Sequence, residues 1–109
     1  MRAWRNSLAL VTGLLVRATA LRWESDDFPG WIEVVVGDSW GRVHHIVEKV
    51  PVLTVNEVSA NSAFPLELWL RGQVEEADEE TVTFRLDDGV ETVDGLRRLT
   101  VPTNDVRWL

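Results

Sequence analysis

The chain of 109 residues contains no cysteine, which removes disulfides, thiolate metal sites and cysteine nucleophiles at once. It has no tyrosine, and Lys49 is its single lysine, every other basic residue being arginine. No apolar run approaches the roughly 20 residues that a membrane-spanning helix needs. Glycine-rich phosphate loops, internal repeats and low-complexity tracts are all missing. At this length one core fills the chain, so residues 1–109 are expected to form a single domain.

Basic charge is also scarce, with 11 Lys and Arg against 18 Asp and Glu and a formal charge of −7. A molecule of that sign repels phosphate backbones and anionic lipid, which argues against nucleic acid and membrane partners. The imbalance is local. Residues 1–22 carry Arg2, Arg5, Arg17 and Arg22 and no acid, whereas nine acids between Glu75 and Asp94 face Arg85 alone.

The N-terminal stretch imitates a secretory signal, with Arg2 and Arg5 before the apolar residues Leu8 to Val16 and Ala18-Thr19-Ala20 after them. Arg17 spoils the imitation by placing a charge at the end of the apolar run. A first strand over Leu8 to Ala20 fits better, with Leu8, Leu10, Leu14 and Val16 on one face and Val11, Leu15 and Leu21 near the other. A soluble, cytoplasmic protein is expected on this reading.

Period-two alternation dominates the rest. Trp31–Val36 and Arg42–Val50 read as a hairpin around Asp38-Ser39-Trp40-Gly41. Leu66, Leu68, Leu70 and Val74 alternate with Glu67, Trp69, Arg71, Gln73 and Glu75, and Val82, Phe84 and Leu86 repeat the pattern after a polar link. Asp87-Asp88-Gly89 and Asp94-Gly95 signal turns, and short strands over Leu96–Val101 and Val106–Leu109 follow. Pro51 ends its strand or places it on an edge, and Thr54, with Glu57 three residues on, predicts a single helical turn. Six or seven strands and at most one helical turn predict an all-β domain. A small antiparallel barrel or strongly curled sheet is favoured over a sandwich because closure removes exposed edges.

The residues Trp31-Ile32-Glu33-Val34, Asp38, Gly41-Arg42-Val43-His44 and Val47-Glu48-Lys49-Val50-Pro51-Val52 resemble a widespread set of small uncharacterised bacterial β-rich proteins. These share a strand, a D-x-x-G-R-x-H turn and an E/D-K-x-P-V ending. The resemblance spans about 30 residues, after a V-T-G-x-L-V-R-like start at Val11 to Arg17. It implies a folded first strand and transfers no activity, cofactor or catalytic residue.

Candidate chemistry is thin. His44 and His45 are the only histidines and, being adjacent in a strand, point to opposite faces, so they do not share one metal ion. Glu33 across the hairpin could join one of them, and His44 or His45 with Glu33, Glu48 or Arg71 makes up a possible small-ligand or minor enzymatic site in a barrel mouth. Six tryptophans exceed what one small core encloses. Trp69 is predicted on the outward face of its strand beside Arg71, either as a binding anchor or as a cover for a barrel end. Together with Glu75, Glu76, Glu79, Glu80, Asp87 and Asp88 it outlines a protein-binding surface. The expected function is therefore a non-catalytic acidic module for a basic protein partner, such as an immunity protein neutralising a cationic bacterial toxin, with no cofactor or metal. A homodimer through Trp69 and an edge strand is the remaining option.

Overall fold

A computed structural model describes residues 13–109. Arg2, Trp4, Arg5, Leu8, Leu10 and Val11, on which the signal-like and first-strand readings partly rest, lie outside the described residues. The chain is all β: β1 (Gly13–Ser25), β2 (Trp31–Gly37), β3 (Val43–Lys49), β4 (Leu66–Ala77), β5 (Thr81–Leu86), β6 (Arg98–Pro102) and β7 (Val106–Trp108), with one helical turn α1 (Val50–Leu53). The strands form one antiparallel sheet in the order β3-β2-β1-β4-β5-β6, and β7 joins β1.

β1 organises this sheet because it is long enough to hold three partners. Along one edge, Gly13 to Ala20 pair with Gln73 to Leu66 of β4. Along the other, Thr19 to Ser25 pair with β2 while Leu14 to Val16 pair with β7. Irregularities in register between Ala20 and Arg22, Trp23 and Ser25, and Val74 and Glu76 bend the strands where they occur. A 3-10 turn at Thr103–Asp105 then sends the chain from β6 back to β1, so the sheet rolls into a half-barrel.

The two remaining edges, β3 and β6, face each other without a ladder. Ser39 donates its N–H to Thr100 O at 2.9 Å, and Val93 donates to His45 O at 2.8 Å, so the seam is pinned at separate points. The concave side is packed by the alternating residues Leu14, Val16, Ala18 and Ala20 of β1, Ile32, Val34 and Val36 of β2, and Leu68 and Leu70 of β4, with Val82, Phe84 and Leu86 of β5 closing it. Gly72 makes room for this packing: a Cβ there would stand 2.7 Å from Phe84 Cδ2 and 2.9 Å from the Arg85 carbonyl oxygen.

Two expectations change. The helical turn begins at Val50 and Thr54 ends it, because Pro51 lacks an N–H to lose and suits a first turn. Released from capping, the Thr54 hydroxyl donates instead to the Trp69 carbonyl at 2.7 Å. Trp69 does lie on the outer face of β4, yet it is buried, with 7% of its surface exposed. Arg17 of β1 and Arg107 of β7 lie over its ring at 5.1 and 3.8 Å from the centroid.

Candidate functional site

Of the predicted protein-binding residues, Trp69 and Arg71 are committed to the fold. The Arg71 guanidinium donates to the carbonyls of Pro51 at 2.7 Å and Val52 at 3.0 Å, which lashes α1 to β4. Glu75 is likewise occupied, bridging Arg98 at 2.6 Å and Arg85 at 3.5 Å. None of the three offers a free group to a partner.

The β4–β5 turn beyond them is different. Asp78 Oδ1 accepts the N–H groups of Glu80 and Thr81, both at 2.8 Å, and so shapes the turn. Those donors, Thr81 first, hold the Asp78 carboxyl below its ordinary value of 3.8. Glu79 and Glu80 bond through the backbone alone, their carbonyls accepting the Thr103 hydroxyl and N–H and tying down the β6–β7 turn. Their side chains, and that of Glu76, lie at the exposed tip. Asp87 accepts a bond from Gln73 Nε2 at 3.2 Å, and Asp88 adopts the left-handed conformation, φ 59°, that its turn requires. Since β5 spans six residues, Glu79 and Glu80 are separated from Asp87 and Asp88 by about 20 Å of strand. The acidic segment is thus two clusters at opposite ends of β5.

The histidine set also divides. His45 Nδ1 lies 2.8 Å from Glu33 Oε2, and the Arg22 guanidinium lies 2.5 Å from Glu33 Oε1, so a buried carboxylate links β1, β2 and β3. Glu48 takes no part in it and pairs with Lys49 at 3.4 Å. His44 turns to the other face and meets Asp38, a residue outside the predicted set: Nε2 and Oδ2 are 2.7 Å apart, with only 10% and 6% of the two side chains exposed. A carboxylate accepts only, so Nε2 carries the proton. Asp38 Oδ1 accepts the N–H groups of Trp40 at 2.8 Å and Arg42 at 2.9 Å. The His44 hydrogen bond, helped by these N–H groups and opposed by burial, holds the Asp38 carboxyl below its ordinary value of 3.8.

This pair sits in a cleft of about 580 Å³ over the seam, with Trp40, Arg42, Leu96, Arg98, Leu99 and Thr100 around it. The signal for it in the sequence is the D-x-x-G-R-x-H spacing, which puts the acid and the histidine on facing sides of a tight turn. Among the described residues no three His, Asp or Glu side chains converge as a metal ion would need, and no helix is long and apolar enough to cross a membrane. No protein family, curated protein or solved structure matches the chain.

Proposed function

We propose that the protein is a non-catalytic acidic module that binds a basic protein, in the manner of an immunity protein occluding a cationic bacterial toxin in the cytoplasm. The distribution of ion pairs carries this reading. Most basic side chains among the described residues are consumed internally: Arg17, Arg22, Lys49, Arg85, Arg97 and Arg98 by carboxylates, Arg71 by carbonyls and Arg107 by the Trp69 ring. The acidic surplus is left outside. Glu79, Glu80, Asp88 and Asp94 are exposed and enter no ion pair among the described residues.

Such an arrangement supports association with a cation-rich surface, because unpaired carboxylates on turns steer a basic partner and gain complementary charges on contact. The resemblance of Trp31 to Val52 to small bacterial β-rich proteins would then describe a shared scaffold hairpin and not a shared site. Affinity capture from the source cell tests the reading. The wild-type chain is expected to retain a basic protein at low salt, and a variant with Glu79→Gln, Glu80→Gln, Asp88→Asn and Asp94→Asn is expected to lose it. Equal recovery by both, or recovery of no basic protein, contradicts the proposal.

A further inference from the structure

We propose that the seam cleft binds a small monoanionic ligand, a carboxylate joined to an apolar ring, independently of any protein partner. The argument begins with Arg42. Among the described residues it is the basic side chain for which no carboxylate, carbonyl or aromatic partner exists, and it lines the cleft. Its guanidinium does not pair with the acid of its own turn, since both oxygens of Asp38 are already taken by His44 and by two backbone N–H groups. An unpaired guanidinium presents forked donors that match a carboxylate in charge and shape.

The neighbouring groups limit the charge of the ligand. Arg98, on the opposite wall, is held by Glu75 at 2.6 Å and contributes little net positive charge. On the walls Asp38 carries one negative charge and Arg98 is compensated by Glu75, so Arg42 is the one cation left without a partner there, within a body of net charge −7. A single negative charge is matched there, whereas a phosphate dianion meets repulsion that nothing on the walls offsets.

The apolar half of the ligand follows from Trp40 and Leu96. The Trp40 indole is 73% exposed although it stands over a concavity, and Leu96 across from it is 44% exposed. Backbone bonds fix the turn that carries Trp40, since the Trp40 main-chain N–H donates to Asp38 Oδ1 and the Ser39 N–H to Thr100 O. A ring entering between the two covers both surfaces and brings its carboxylate to Arg42, and about 580 Å³ is within the range of small-ligand sites.

The test is amide and indole NMR on the full chain with phenylacetate, with phenylacetamide as its neutral analogue, and with the N-acetylated tripeptide acetyl-Gly-Gly-Phe as a carboxylate at a chain end. Saturable shifts of the Trp40 indole N–H and of the Leu96 and Thr100 amides are expected with phenylacetate. Arg42→Met, which keeps the backbone N–H bonded to Asp38, is expected to weaken binding about tenfold, the worth of one charge-assisted contact. Tighter binding of the tripeptide than of phenylacetate would assign the site to peptide ends, and the reverse order to free acids. The proposal is overturned if phenylacetamide binds as well as phenylacetate, if folded Arg42→Met binds unchanged, or if neither acid gives saturable shifts at the cleft. Arg42→Gln, which also removes the guanidinium and keeps the backbone N–H, serves as a second variant should Arg42→Met not fold, with the same weakening expected.

Discussion

At Trp69 an indole is enclosed by guanidinium groups that arrive from β1 and β7, and Arg17 is itself fixed by Glu67 at 2.6 Å and Asp105 at 3.3 Å. Trp69→Ala removes the surface both arginines cover, and a loss of about 3 kcal/mol is expected in urea unfolding. A basic partner's affinity should change far less, since the ring is buried. Asp38 gives a pH signature. Its carboxyl is held below 3.8 by the His44 hydrogen bond. The stability this contributes is fully present above that unfolded value and is lost as the pH falls through the lower folded one. Asp38→Asn should therefore lower the urea midpoint near pH 7 by the equivalent of about 1 kcal/mol, and flatten the further loss as the pH falls below about 4. An unchanged acid slope would remove Asp38 from the account. That Glu33 could meet one of the histidines was legible in the sequence, because they fall on neighbouring strands of an obvious hairpin, but which histidine it meets was not. The burial of Trp69 was not, because parity along a strand gives the face of a residue and says nothing of arginines delivered to that face from β1 and β7.

Strands whose two faces meet different surroundings announce themselves. β4 and β5 alternate apolar and polar residues because one face meets the core and the other the outside, and their spans follow the prediction to within two residues. β1 lies between β4 on one edge and β2 and β7 on the other, and it continues to Ser25 past the predicted end. α1 was misplaced by a few residues, since Pro51 is compatible with both a strand end and a first helical turn and local pattern does not choose between them. What chooses is tertiary: the Arg71 guanidinium waits on β4 for the carbonyls of Pro51 and Val52. Arg71→Met should keep the packed stem and lose the donors. Destabilisation of roughly 1–2 kcal/mol is expected, with faster hydrogen exchange confined to residues 50–56. Exchange that accelerates uniformly across the sheet would show that α1 is not an independently anchored element.

For the molecule as a whole, charge is the property that the fold redistributes most. A segment of nine acids reads as one acidic edge while it is a string of letters, but β5 runs through it and divides it into a tip at Glu79 and Glu80 and a second cluster at Asp87 and Asp88, with Asp94 in a separate turn. Glu75 leaves the surplus by pairing with two arginines. The cleft at the seam was the least legible feature, because its walls come from a turn near residue 40 and a strand near residue 98 that meet only when the half-barrel curls. Site-specific photo-cross-linking in the source cell tests the central claim most directly, with the reactive side chain placed in turn at Glu80, at Asp88 and at Arg71. A cross-link to one basic protein from position 80 or 88, and none from position 71, is the predicted result. Adducts that form equally from all three positions, or only with acidic proteins, would contradict it.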